Sequence, residues 1–488
     1  MLNLATATAT ELLTALERRK VSSLELVDGY LDRIARLNGP LNAVITLDAE
    51  RARARARELD AWRARSDAHG PLHGLPLTIK DAFETEGLRT VSGAKPYAAH
   101  VPAANAVAVQ RLVDAGAIVL GKTNVPAYCA DVQTFNEVFG VTHNPHDRTR
   151  TPGGSSGGAA VAVACGFTSF ELGSDIGGSI RTPAGWTGVY GHKPSYGLVP
   201  MGGHIPGPPG MLARWDLNVA GPLARSAEDL ALALSVLAGP EGQDAKAYRL
   251  ALPAPRCAAL RDYRVGAWFD APGFPLDPEL RAVLDGVVEG LESVGARVER
   301  LDEAVVGISL TALVDDYLKL MLPVMMSGMP QASVDGLVQV AQGSAPGASE
   351  QLLRVARSAT LRHVEWLAVD ERRAHLRRRF AQLFERFDVL LLPLHPVAAI
   401  PHEHEGTSTT RTITVSGVAR PYFDLFGWIA PATACYLPAT AAPVGRTPGG
   451  LPVGVQIVGD YLEDHTTMAF AEHLGELVGG FVPPAGLG

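Results

Sequence analysis

The chain lacks the marks of a disulfide framework, a metal site and a nucleic-acid binder. Its 488 residues include four cysteines, Cys129, Cys165, Cys257 and Cys435, each alone and with no CxxC spacing. That excludes a zinc-ribbon pattern and a disulfide scaffold, and isolated thiols suit a reducing compartment. The formal net charge is −8, and the densest basic run, Arg51–Arg57, alternates with alanine; nucleic acid is not the expected partner. No apolar run reaches the ~20 residues that span a bilayer. Met1-Leu-Asn-Leu-Ala-Thr6 has neither the basic nor the apolar region of a secretory signal. The expectation is a cytoplasmic protein with no membrane partner. GxxxxGK[ST], HExxH and a GxGxxG after a strand are also missing, so no nucleotide cradle or zincin helix is legible. His402-Glu-His404-Glu405 offers alternate metal ligands, but a lone HxH pair in a loop reads as solvated surface. Neither metal nor cofactor is expected.

What is present is a globular mixture, 47% hydrophobic and 19% charged. Residues 7–67 read as helical: Ser22 and Glu25 form a capping-box pattern, with Leu26, Val27, Tyr30, Leu31 and Ile34 recurring at helical spacing. Short apolar runs then alternate with helical patterns: Gly74–Asp81, the helix 104–115, the strand 117–121, and a strand over 168–172. Gly191–Gly197 and Met201–Gly210 read as a long loop. After a linker-like stretch at 239–262 the alternation resumes with a strand at 263–269, a helix at 278–295 capped by Asp277, and a strand at 297–301. Residues 303–385 read as mostly helical. Further strands are expected at 389–393, 434–444 and 451–458, and a closing helix at 464–477. This rhythm indicates an α/β fold, a large mixed sheet flanked on both faces by helices. Length alone suggests about three domains. No low-complexity linker cuts the chain, so one domain over 1–488 is expected: a helical segment 1–70, a catalytic core 71–240, a pocket region 241–430 and a C-terminal sheet and helix 431–488.

The most informative stretch is Thr149–Pro183. Two Gly-Gly-Ser turns, Gly153-Gly154-Ser155 and Gly177-Gly178-Ser179, bracket the small apolar run Ala159–Cys165. Glycines let the backbone turn tightly and let other groups approach it, so each turn presents a stiffly held hydroxyl. Gly154-Ser-Ser156-Gly-Gly158 also satisfies GxSxG, but the nucleophile elbow needs a buried strand before it, and Pro145–Pro152 is polar. A serine needs a base to take its proton. The nearby His143, His146 and His192 read as turn residues, which leaves Lys80, at the end of the short apolar strand Leu75–Ile79. A lysine with a free pKa of ~10.4 serves as base only where burial favours its neutral form. Backbone N–H groups of the 175–179 turn are candidate oxyanion donors.

These segments together resemble the amidase signature family. The matching blocks are Gly74–Asp81, Gly121-Lys-Thr-Asn124, Pro152–Gly158, Gly173–Ala184, Gly191-His-Lys-Pro194 and Gly450–Ile457. The likeness is specific over 74–200, clear at 434–477 and weak over 240–430. It implies Ser179 as nucleophile, Ser155 as a proton relay following a cis peptide after Gly154, and Lys80 as base. It further implies oxyanion donors at Ile176, Gly177, Gly178 and Ser179, with Asp175 and Arg181 holding the turn. Ser156 is left idle. The implied reaction is hydrolysis of carbon–nitrogen bonds in amides, with esters and carbamates open to the same steps.

The segment after Asn124 lines the acyl pocket in relatives. Here Cys129, Ala130 and Val132 are small and Gln133 follows them, which suggests a roomy pocket for a bulky or aromatic small-molecule substrate. The rest of the wall is expected from 201–216 and 310–430. A rival within the same family is the glutamine-hydrolysing subunit of a tRNA-dependent amidotransferase. Trp186-Thr187 and the Gly/Pro-rich 201–210 stretch read more like a stand-alone enzyme, as monomer or homodimer.

Overall fold

A computed structural model describes residues 3–66, 69–205 and 209–487; Met1-Leu2 of the N-terminal reading and residues 206–208 of the 201–210 stretch lie outside them. Eleven strands form one twisted sheet. In chain order they are β1 (Val44–Leu47), β2 (Pro76–Lys80), β3 (Ile118–Thr123), β4 (Glu171–Asp175), β5 (Tyr190–Lys193), β6 (Val219–Ala224), β7 (Arg264–Trp268), β8 (Arg297–Leu301), β9 (Val389–Pro393), β10 (Ala439–Arg446) and β11 (Pro452–Val458). Their spatial order is β1-β3-β2-β4-β6-β5-β10-β11-β9-β7-β8. The sheet is mixed: β3, β2 and β4 run parallel, as do β9, β7 and β8, and the strands between them pair antiparallel.

Helices cover both faces. Successive strand side chains point to opposite faces, and β9 shows it: Leu391 packs into one large apolar cluster, Leu390 and Leu392 into another. The first cluster joins the sheet to the N-terminal helices Ala9–Glu17 and Ser23–Leu37, to Pro278–Ser293 and to the closing helix Asp464–Val478. The second joins it to Leu310–Met326 and the long helix His363–Arg386. No helix among the described residues is long and apolar enough to cross a membrane.

Several local expectations hold: both hydrogen bonds of the Ser22–Glu25 capping box form, and Asp277 caps a helix that begins at Pro278. Three do not. Val44–Leu47 is an edge strand inside a region read as helical, and it pairs with β3. The Gly191-His-Lys-Pro segment, read as loop, places Tyr190–Lys193 in the middle of the sheet, so His192 lies on a strand rather than a turn. Its ring is buried between the Asp464 carboxylate (3.0 Å) and the Thr440 hydroxyl (2.9 Å). The strand expected at 168–172 begins later, at Glu171, so that Ser174 and Asp175 belong to β4.

Candidate active site

β2 and β4 are parallel neighbours, so their C-terminal ends, Lys80 and Asp175, lie on the same edge of the sheet. That is where open α/β sheets build their sites. Immediately after Gly154-Ser155-Ser156, the helix Gly157–Ala164 runs back beneath this edge with every residue buried. Its first turn fits only because position 158 is glycine. A Cβ there would stand 2.3 Å from the Asn124 nitrogen and 2.8 Å from the Ala43 carbonyl oxygen, and both are backbone atoms that cannot swing away. The return brings the two glycine turns into contact, with the Ser156 N–H donating to the Ser179 carbonyl at 3.1 Å. The Gly154–Ser155 peptide is cis.

Lys80 is fully buried. Its Nζ lies 2.7 Å from Ser155 Oγ, 2.8 Å from Ser156 Oγ and 2.9 Å from Ser174 Oγ. Burial pushes the ammonium pKa below its ordinary value, opposed by the neighbouring Cys129, Asp175 and Glu171. Three hydroxyls around a desolvated amine carry no countercharge of their own, so the neutral form is favoured. Ser156 is therefore not idle: its hydroxyl helps hold the lysine. Ser174 is a further partner that the sequence did not single out.

Ser179 is slightly exposed, whereas Ser155 is almost fully covered. Around Ser179 the turn is fastened by Asp175, whose carboxylate accepts from the N–H groups of Gly178 (2.9 Å) and Ile180 (3.1 Å) and from Arg181 Nε (3.1 Å) and Nη2 (2.9 Å). Burial alone would raise the Asp175 pKa. The charge and hydrogen bonds of Arg181 outweigh burial, with help from Lys193 and the Ile180 N–H, and hold it at about 2. Arg181 itself is fully buried and also donates to Ile429 O, Gln456 Oε1 and Thr433 Oγ1. These contacts tie the turn to the C-terminal third of the chain.

The Asp175 contact corrects one expected oxyanion donor. Gly178 directs its N–H at a carboxylate, so it is not free to meet a substrate oxygen. The N–H groups of Ile176, Gly177 and Ser179 donate to no protein acceptor among the described residues. Tyr317 Oη donates to the Ile176 carbonyl at 2.7 Å. In a trans peptide the C=O and the following N–H point opposite ways, so this bond aims the Gly177 N–H away from Tyr317. Phe426 packs against the same glycine: a Cβ on Gly177 would lie 3.0 Å from its ring.

The expected pocket segment divides. Cys129 is half-buried, its Sγ 3.9 Å from Ser92 Oγ, and Ala130 is exposed. Val132 is buried in an apolar cluster with Trp186, Val397 and Leu425. Gln133 is not a pocket wall. It is fully buried, donating to the Glu403 carbonyl at 2.8 Å and accepting the Glu403 N–H at 3.0 Å. The amide pins the 400–405 segment because each end finds a backbone partner there. His402 and His404 belong to that segment and pack with His143 and Phe135; among the described residues no group of three histidine, cysteine or acidic side chains is placed to hold a metal.

With a buried lysine, three serine hydroxyls and a glycine turn at one sheet edge, the chain belongs to the amidase family of carbon–nitrogen hydrolases, whose sequence pattern matches residues 25–468. It is 33% identical over 485 residues to a glutamyl-tRNA(Gln) amidotransferase subunit from Moorella thermoacetica (strain ATCC 39073 / JCM 9320), covering 95% of each chain. Among solved structures it superposes on a protein of a vestigial complex tied to the origins of an s-triazine catabolic enzyme. That match has a TM-score of 0.81 and 27% identity, and covers 98% of this chain and 100% of the other. A bacterial aryl acylamidase of the amidase signature family matches with a TM-score of 0.78 and 25% identity, covering 97% and 96%.

Proposed function

We propose that the chain hydrolyses carboxamides through an acyl-enzyme on Ser179, with Ser155 as proton relay and Lys80 as base. The observation that carries this reading is the buried Lys80 amine 2.7 Å from the Ser155 hydroxyl, on the turn that touches the Ser179 turn. Ser179 Oγ attacks the carbonyl carbon while its proton passes to Ser155 and the Ser155 proton to Lys80. The resulting oxyanion is met by N–H groups of Ile176, Gly177 and Ser179. The carbon–nitrogen bond then breaks and the Lys80 proton returns through Ser155 to the leaving amine. A water attacks the ester carbonyl, its proton takes the same path to Lys80, and that proton finally restores the Ser179 hydroxyl as the acid leaves. Asp175 and Arg181 position the turn and exchange no proton.

Two settings fit this chemistry. Similarity to the curated relatives favours a glutamine-hydrolysing component of an amidotransferase, serving a partner, and on similarity alone this setting comes first. The walls beside the oxyanion turn favour an apolar or aromatic small-molecule amide. The Phe426 ring and the Tyr317 hydroxyl stand against Gly177, and at the relay turn, where Gly154 packs on the Asp131 backbone, the Asp131 and Arg411 side chains are paired with each other at 2.7 Å with Tyr422 donating to Asp131.

The deciding experiment gives the purified chain, alone, a panel of glutamine, 4-nitroacetanilide, short aliphatic amides, 4-nitrophenyl esters and carbamates, with Ser179→Ala as control. Anilide turnover without a partner supports the stand-alone setting, and esters or carbamates processed alongside it extend the substrate class. Glutamine hydrolysis that needs added partner proteins supports the other. Short aliphatic amides far outpacing the anilide sink the apolar pocket. Equal rates for wild type and Ser179→Ala on every substrate sink the mechanism.

A further inference from the structure

Lys80 faces three hydroxyls, and only one of them is to give it a proton. A neutral amine has two hydrogens to donate and one lone pair. To act as base toward Ser155, that lone pair must meet the Ser155 hydrogen. Either of the other hydroxyls would occupy it by turning its own hydrogen inward. Ser156 has an outlet, because its Oγ donates to the Ser174 carbonyl at 3.4 Å. Ser174 has another. Its Oγ lies 2.8 Å from Nε2 of His204, a residue outside every block that carries the family resemblance. On the ring's far side Nδ1 lies 3.4 Å from Asn218 Nδ2. A half-turn of the amide exchanges its nitrogen and oxygen at no change of shape; with Asn218 so turned, its oxygen accepts an Nδ1–H and the Nε2 lone pair is left bare for the Ser174 hydrogen, and this is the orientation the proposal requires.

We propose that His204 is a positioning residue that draws the Ser174 hydroxyl hydrogen away from Lys80, and so reserves the base's lone pair for Ser155. The inference rests on the reading of Lys80 as base. The ring is set for the task by its surroundings. Phe83 packs edge-on at 4.8 Å, and His204 floors a small surface cavity with Asn218, Met201 and Trp215. Burial and the neighbouring Lys80 both push its pKa well below the ordinary value, which keeps the imidazole neutral and able to accept. At the cavity Arg214 pairs with Glu241 at 3.1 Å and lies 3.9 Å from Asp244. On the other side, Lys80 faces Asp175 and Glu171 from the sheet and Cys129 from the loop after β3.

The test is a double-mutant cycle on hydrolysis of 4-nitrophenyl butyrate, read as kcat, KM and pH profile. His204→Leu removes the acceptor. It is expected to lower kcat about tenfold, the scale of one misdirected hydrogen bond, with KM unchanged. The acid limb should move to lower pH, because the Ser174 hydrogen then stabilises neutral Lys80. In a Ser174→Ala background there is no hydrogen to misdirect, and His204→Leu should cost nothing further. His204→Gln, whose amide oxygen accepts, should recover most of the loss. Equal losses in both backgrounds, or no loss in the single variant, overturn the proposal. Where Ser174→Ala does not fold, glutamine against leucine at 204 decides, and equal losses again overturn it. Undiminished turnover by Lys80→Met would instead defeat the underlying reading of the base, an outcome separable from all of these.

Discussion

Replacing Arg181 by methionine keeps much of the side chain's bulk and removes its charge. In the folded chain the guanidinium is buried and makes two bonds to Asp175, at 2.9 and 3.1 Å, besides bonds to Ile429, Gln456 and Thr433. The variant leaves a buried carboxylate whose other facing cation, Lys193, is itself buried and has its pKa pushed down to about 7 by burial. Breaking one side of a buried pair costs about 3–5 kcal/mol, because the remaining charge stays desolvated. Partial compensation by Lys193 and three backbone N–H groups puts the expected loss near ~3 kcal/mol, measured by urea unfolding at pH 7. The pH dependence carries the sign. In the native chain Asp175 is held at about 2, below its ordinary 3.8, so its contribution is fully present above 3.8 and is lost as pH falls through about 2. In Arg181→Met, burial without the guanidinium raises that pKa, so acid protonates Asp175 and relieves the unpaired charge. The deficit relative to wild type should therefore shrink as pH falls from 7 toward 4, and the double variant Asp175→Asn/Arg181→Met should recover much of the loss at pH 7. A deficit below ~1 kcal/mol, or one that neither acid nor the double variant reduces, refutes the reasoning.

Activity should rise with pH through the folded-state pKa of Lys80, which burial holds below that of a free lysine, and Lys80→Arg should be inactive across the range because a guanidinium stays protonated; a profile with no dependence on this residue would count against it as base. Ser155→Ala should lower kcat by roughly 10²–10⁴, the range for a positioned proton-transfer group, whereas Ser156→Ala removes one lysine contact and should cost about tenfold; steady-state rates on 4-nitrophenyl butyrate that invert this order contradict the assigned roles. Gly158→Ala should lose more than ~3 kcal/mol of stability or fail to fold, since its Cβ would meet backbone on two sides; a soluble variant with a wild-type urea midpoint would show the helix is seated differently.

The serines and the lysine proposed to be catalytic are legible in the sequence because each sits at a local irregularity: glycine doublets before two serines, a cation closing an apolar strand. Their assembly is legible only as a consequence of a small-residue helix short enough to double back. What escapes a reading of the sequence depends on distant partners. Tyr190–Lys193 becomes a central strand because Asp464 and Thr440, far along the chain, satisfy His192, and nothing in Gly-His-Lys-Pro advertises this. Ser174 and His204 carry no local pattern, although the position of Ser174 beside Asp175 at a strand's C-terminal end is a usable signal. Gln133 reads as a pocket wall because it closes a segment of small residues expected to line the pocket. Its amide instead finds backbone partners at Glu403, and chain order alone does not reveal such a pairing. Gly178 groups with its neighbours as an oxyanion donor, and only the placement of the Asp175 carboxylate distinguishes it from them.

Acid quenching of the chain during turnover of 4-nitrophenyl butyrate, followed by peptide mass spectrometry, tests the central claim most directly. The account calls for a butyryl adduct on Ser179, formed with one equivalent of released nitrophenol in the first turnover and absent from Ser179→Ala. A butyryl group found on Ser155 or Ser156, or turnover at the wild-type rate with no adduct in the Ser179 peptide, would contradict it.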